Sequence, residues 1–272
     1  MTRETKYFQL IIHYNLVFGK LTILFYFIIF NLFSNDPNIE RKKVLSGYNF
    51  SEPSTQEIQD DDFLNPGILW VEKGSYLWNK KISPNKSSCN SCHGNIKNME
   101  GVSLKYPRIE PISEKLINLE QRINLCRKKM KLKEFDVESK ELMALSTLIS
   151  YQSRGMPFKY EVTEKNKKWY DLGKKLYFEK IGVMGLSCNQ CHDDRVGLSL
   201  RAEKVSQGQI NGFPSYLLRW SKVISVHKRF EFCNEQARAI PYKINSDQYN
   251  ALQFYLSHRG NGLLVESPAV RK

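Results

Sequence analysis

Methionine, acid and long apolar runs are what this sequence has least of. No methionine follows Met184, so the rest of the chain has no thioether to offer as a ligand. Only 28 Asp and Glu stand against 41 Lys and Arg, a net charge of +13. That imbalance favours anionic partners: nucleic acid, a membrane surface, an acidic protein or a small oxyanion. A Gly-rich phosphate loop, zinc-finger spacing and a repeated basic-aromatic pattern are all missing, so no nucleic-acid partner is expected. With 41% hydrophobic and 25% charged residues, the 272-residue chain is globular: one large domain or two small ones.

One uncharged apolar run stands near the N-terminus: LTILFYFIIFNLF, residues 21–33, behind Arg3, Lys6 and Lys20. It falls short of the about 20 residues of a membrane span. Positive charge before a short apolar core predicts an export signal over residues 1–34, with an uncleaved anchor as the alternative. Either one carries the remainder across a membrane, most simply into a bacterial periplasm, with membrane contact only through that segment. Unpaired thiols tend to be oxidised there, so each cysteine needs a role. Residues 35–66 are polar, with the acidic run Gln59-Asp60-Asp61-Asp62, and read as an extended N-terminal arm.

Two similar units follow. The first runs GILWVEKGSYLW, SCNSCHG, a long loop, then ELMALSTLISYQSRG; the second runs KKWYDLGKKLYF, SCNQCHDD, a long loop, then YNALQFYLSHRG. Apolar residues keep helical spacing at Leu142, Leu145, Leu148 and Ile149, and again at Leu252, Tyr255 and Leu256. Gly155 and Gly260 are candidate C-caps, and the polar stretch near 156–166, with Pro157, reads as a linker. The predicted fold is all-α with long loops and little sheet, an internal duplication of a small helical unit over 67–158 and 159–272. Each unit is short of apolar residues, and a bulky apolar cofactor in each core would make up the shortage.

The six cysteines are Cys89, Cys92, Cys126, Cys188, Cys191 and Cys233. Four of them form CNSCH and CNQCH, the c-type haem attachment pattern. Two thiols three positions apart on one helical turn can reach the two vinyl groups of one porphyrin, and the next residue turns its imidazole to the iron. Two haem c groups are therefore expected on Cys89 with Cys92 and on Cys188 with Cys191, with His93 and His192 as proximal ligands. A shared four-cysteine zinc site would leave both histidines unexplained. A redox Cys-x-x-Cys does not require the histidine.

The other axial position is open to several side chains. Electron-transfer cytochromes commonly use methionine, which the second unit lacks downstream of its motif. Cys233, His227 and His258 remain, with lysine less suited; in the first unit Met130, Met143 and Met156 stand beside Cys126. His227, in a basic stretch, reads as a solvated histidine, and His258 as a surface or capping residue. Cys126 and Cys233 occupy similar places after their motifs. A thiolate ligand on each iron accounts for that correspondence, whereas a Cys126–Cys233 disulfide accounts only for the even count.

The chain resembles the SoxA family of dihaem cytochrome c subunits. The likeness is carried by QDDDFLNPGILWVEKGSYLW, SCNSCHG, SRGMPF, SCNQCHDD, NGFPSYLLRW, RFEFCNEQARAIPY and ALQFYLSHRGNGLLVESPAVRK, with Arg229-x-x-x-Cys233 and the final ESPAVRK the most specific. It implies that the two units are cytochrome c-like haem domains, the second carrying the active site, and that the chain pairs with a SoxX-like monohaem cytochrome c. It also implies a periplasmic L-cysteine S-thiosulfotransferase that joins thiosulfate to a cysteine of a SoxYZ-like sulfur carrier. By the same resemblance Cys126 and Cys233 are the distal ligands, Cys233 is the catalytic cysteine as a persulfide, and Arg229 binds substrate. The alternative is a dihaem electron carrier without substrate chemistry.

Overall fold

The computed structural model describes residues 43–81, 88–200 and 203–272. The expected export segment lies outside them; among the described residues no helix is long and apolar enough to cross a membrane. Val44–Lys272 form one compact unit.

Nine α-helices among the described residues carry the fold. In chain order they are α1 (Pro53–Asp60), α2 (Ile68–Asn79), α3 (Cys89–His93), α4 (Leu119–Lys129), α5 (Lys140–Tyr151), α6 (Lys167–Phe178), α7 (Cys188–His192), α8 (Val226–Gln236) and α9 (Asp247–Arg259). The strands are short. β1 (Arg108–Ile109) pairs with β2 (Leu116–Ile117), and β3 (Ser199–Leu200) with β4 (Glu203–Lys204). In the third sheet β5 (Ser215–Leu217) lies between antiparallel β6 (Lys222–Ile224) and parallel β7 (Ala269–Arg271). The expectation of a helical protein with little sheet holds.

The helices start where the sequence supplies a cap. Asn118, Ser139, Ser225 and Ser246 each accept a backbone N–H from the first turn of α4, α5, α8 and α9. Both five-residue cysteine helices follow a serine: Ser88 N–H donates to Ser91 Oγ at 3.1 Å, and Ser187 N–H donates to Gln190 Oε1 at 2.9 Å. This local bonding holds a single turn that helix propensity alone would not.

Two helix pairs have the same construction. In α2 the buried residues are Trp70, Gly74 and Trp78; in α6 they are Trp169, Gly173 and Tyr177. The i, i+4, i+8 spacing puts each glycine at the centre of an aromatic stripe. A Cβ on Gly74 would lie 2.3 Å from Ala144 O of α5, and one on Gly173 would lie 2.1 Å from Ala251 O of α9. The backbones therefore touch, and the flanking rings fill the space on either side of the crossing.

The stretch expected to be an extended arm contains α1, whose Gln59 is buried and accepts from Val270 N–H at 3.0 Å. Asn65 Nδ2 donates to Pro268 O at 2.9 Å. These amides hold the C-terminal strand β7, whose Val270 is fully buried. The stretch read as a linker is also paired: Gly155 N–H donates to Val265 O, Val265 N–H to Met156 O and Phe158 N–H to Leu263 O. Gly260 is the C-cap of α9, while the C-cap of α5 is Gln152 and Gly155 lies beyond it.

His227 corrects the sequence reading: it is fully buried rather than solvated. It lies on the inner face of α8 with Phe230 and Asn234, one and two turns on. Its Nδ1 accepts from Asn245 N–H at 3.1 Å, and Asn118 Nδ2 donates to Asn245 Oδ1 at 2.8 Å. Burial pushes its pKa down to about 3. The unfolded chain thus binds a proton below about pH 6.5 that the folded chain refuses until about pH 3. Stability is expected to fall as pH drops through this window, by several kcal/mol in all. Chemical unfolding of wild type and His227→Gln from neutral to acid pH checks it: the variant should show a shallower loss.

Candidate active site

The second Cys-x-x-Cys-His sits on α7, packed against α6 and α9. Asp193, after the motif, accepts from Tyr177 Oη at 3.0 Å and from the Arg259 guanidinium. The His192 ring is fixed from behind. Its Nδ1 donates to Ser206 O at 2.8 Å, leaving Nε2 for a metal. Gly208 closes on the same ring: a Cβ there would lie 2.8 Å from His192 Cγ, on a backbone with φ +68. Only glycine meets both conditions without strain.

Helix α8 presents Arg229 and Cys233 on one face, four residues apart. The structure brings Cys233 to the α7 cysteines, close enough for its charge to act on Cys188 and for that of Cys191 to act on Cys233. Burial, then the neighbouring Cys233, pushes Cys188 up to about 12. Cys233 is pushed up by burial and drawn down by Arg229. Its side chain is exposed. Arg229 is no solvated surface arginine. It is half-buried, its plane lies 5.5 Å from the Phe232 ring, and its Nη1 is buried with no hydrogen-bond partner. An unpaired buried guanidinium nitrogen is costly and calls for an anionic acceptor.

The first motif repeats much of this. Helix α3 holds Cys89, Cys92 and His93 beside Trp78, whose ring centroid is 5.8 Å from the His93 ring and whose Nε1 donates to Gly94 O at 3.1 Å. Helix α4 brings Cys126 to Cys89, whose thiol is raised by burial and then by Cys126. Arg127 lies beside Cys89, with its guanidinium 3.6 Å above the Phe135 ring. Each motif thus faces one separate thiol, with an arginine at hand.

All six cysteines are free, so no Cys126–Cys233 disulfide forms. His227 is buried away from any ligand role, and His258 donates from Nδ1 to Tyr160 O at 2.9 Å with Tyr170 against its ring. The donor sets fit haem c. Each has two thiols on one turn, an imidazole beside them and a further thiol nearby; at the second motif the Nδ1 bond to Ser206 O leaves Nε2 for the iron. The contributions of Ser206 and Gly208 have no sequence signature, because one acts through a backbone carbonyl and the other through a missing side chain.

The model of the SoxA/TsdA cytochrome c domain matches residues 73–158, which include Cys89, Cys92, His93 and Cys126. L-cysteine S-thiosulfotransferase subunit SoxA of Paracoccus pantotrophus is 37% identical over 229 residues, 84% of this chain and 79% of the relative. The chain belongs to the SoxA family. The SoxA subunit of Pseudaminobacter salicylatoxidans is 38% identical over 231 residues, 84% of this chain and 81% of the relative. The crystal structure of SoxXA from P. pantotrophus superposes with a TM-score of 0.81 at 37% identity, covering 84% of this chain and 87% of that one. Membership of this cytochrome family brings covalently bound haem c. The relatives' names speak for the thiosulfotransferase rather than for a bare electron carrier.

Proposed function

We propose that this chain is the dihaem subunit of a periplasmic L-cysteine S-thiosulfotransferase, built by duplication of a haem-binding unit, with its chemistry at Cys233 and Arg229. Cys89 with Cys92 and Cys188 with Cys191 attach two haem c groups. His93 with Cys126, and His192 with Cys233, would hold the two irons. Its partners are a SoxX-like cytochrome c and a SoxYZ-like sulfur carrier. The observation that carries the reading is the unpaired, buried Nη1 of Arg229 on the same helix face as Cys233, beside the cysteines of the second motif.

Arg229 takes the sulfonate oxygens of thiosulfate through charge-assisted hydrogen bonds and offsets repulsion between the dianion and the Cys233 sulfur. Cys233, as a persulfide, holds the reacting sulfur in place. The carrier thiolate and thiosulfate join through a new S–S bond to give an S-thiosulfonated cysteine, and two electrons leave. Bound haem c supplies the one-electron acceptor chemistry. The burial of Arg229 Nη1 strengthens its contact with an anion beyond its value in water.

The test uses the mature, haem-loaded protein with its cytochrome partner and a carrier bearing the acceptor cysteine. Intact mass should show two haem additions and one extra sulfur, which peptide mapping places on Cys233. Carrier mass should rise by a thiosulfate adduct as cytochrome c is reduced. Arg229→Leu is expected to raise the thiosulfate concentration for half-maximal rate by about a hundredfold, from loss of about 3 kcal/mol of charge-assisted binding. An unchanged thiosulfate dependence would remove Arg229 from the site.

A further inference from the structure

Glu120 stands in the first turn of α4, 8% exposed, with no cation acting on it. Its Oε1 accepts from Ser146 Oγ at 2.6 Å. Burial pushes its pKa up, and the Ser146 bond opposes that. The carboxyl borders a cavity of about 60 Å³, room for a few water molecules. The walls come from both thiol-bearing helices, through Glu120 of α4 and Val226 of α8, and from both closing helices, through Ser146, Ser150 and Ser257. Asn211, another wall residue at 2% exposure, leaves its Oδ1 without a partner while its Nδ2 donates to Leu264 O. A polar, roomy cavity with an orphaned acceptor is one that water fills.

The other charged or titratable groups around Glu120 are few. Tyr106 and Tyr160 line the cavity, and burial pushes both phenols up. Glu138, whose Oε2 accepts from Ser225 N–H, is raised first by burial, and the charge of Glu120 adds to that rise. Lys222 acts on Glu138 in the opposite sense, and His227 on α8 is held neutral.

We propose that Glu120 is a proton-binding site whose occupancy follows the oxidation state of the group held at Cys126. Glu120 and Cys126 share α4, six residues apart, about 9 Å along the axis. One unit of charge at about 10 Å, at an effective dielectric of about 20, changes a carboxyl's proton affinity about tenfold. One electron arriving at that site therefore draws, at most, about half a proton on average from water onto the Glu120 carboxylate, and its departure releases it. The electrons are those released by thiosulfate coupling, so the inference rests on the proposed function and on Cys126 as ligand. The coupling is reciprocal: pH must move the potential of that site in the same measure.

Potentiometric titration of the full haem-loaded chain, followed by haem absorbance from about pH 5 to about pH 9, tests this. One haem wave should shift by about 59 mV in all across this range, the tenfold change in proton affinity converted for a one-electron couple, with the steepest slope about half that per pH unit. Glu120→Gln should flatten that wave. Ser146→Ala, which removes a donor to the charged form, should move the sloping window to higher pH. Without any variant, the reduced-minus-oxidised infrared spectrum should gain a protonated-carboxyl band. An equal slope in Glu120→Gln, or no slope in wild type, overturns the proton site. Cys126→Ala separates the two readings: if both haem waves stay in place, the ligand assignment itself falls.

Discussion

Replacing Cys233 by alanine is expected to leave both haems covalently attached while cutting thiosulfate coupling at least a thousandfold. Attachment depends on the thiols of α3 and α7, and Cys233 is on α8, with its own Ser225 cap and its own buried face through Val226, Phe230 and Asn234. Its side chain is exposed, so truncation removes no core packing, and folding should survive. The proposed catalytic sulfur is then gone. Removing a covalent or coordinating group commonly costs several orders of magnitude in rate, with only binding left behind. Two further changes should accompany the loss. The visible spectrum of one haem should shift, and its potential should rise, because an anionic sulfur ligand favours the oxidised iron. Mass spectrometry of the carrier together with haem absorbance reads all three. Wild-type coupling in the variant would move the chemistry away from α8.

The free thiol of Cys233 is subject to two opposed influences: burial raises its pKa and Arg229 lowers it. A coordinated or persulfidated sulfur is deprotonated outright, and the buried anion then needs a counter-charge. Arg229 is placed to be that charge as well as the substrate's. Arg229→Lys should therefore recover little of what Arg229→Leu loses, since a lysine ammonium cannot span two oxygens in one plane.

Much of this was legible in the sequence because it repeats. The Cys-x-x-Cys-His spacing, the aromatic helices before each motif and the apolar periodicity of the closing helices are local signals, and each element appears where the pattern places it. The pairing of each extra cysteine with its own motif was readable from similar offsets. His227 was misread because Lys228 and Arg229 follow it in sequence. On a helix those neighbours point elsewhere, and the i, i+3, i+7 set His227, Phe230 and Asn234 is the buried face. The stretch near 156–166 was misread because its pairing partner, 263–265, is about a hundred residues away and β-bridges leave no helical period. The backs of the His192 ring, Ser206 O and Gly208, were invisible because the chain contributes backbone there, not side chains.

Gly173→Ala is expected to lower stability by about 3 kcal/mol, a Tm drop of about 6–12 °C for a unit of this size. Alanine gains about 1 kcal/mol of helix propensity over glycine in a helix interior, so the sign depends on the clash. The added Cβ would meet Ala251 O at 2.1 Å and Ala251 C at 2.6 Å, both backbone atoms that no rotamer change can move. Helices α6 and α9 must separate by about 1 Å, and dispersion contacts along the crossing fall off steeply with such a gap. Tyr177 and Tyr255, with ring centroids 5.4 Å apart, would be pulled apart with them. The Tyr177–Asp193–Arg259 contacts beside His192 span the same two helices. The variant should therefore perturb the second haem's spectrum more than the first's, and Gly74→Ala, 2.3 Å from Ala144 O, should do the reverse. Because the obstacle is a carbonyl, adding Ala251→Gly to Gly173→Ala should not restore the Tm. Restoration would mean that side chains, not backbones, set the distance between these helices.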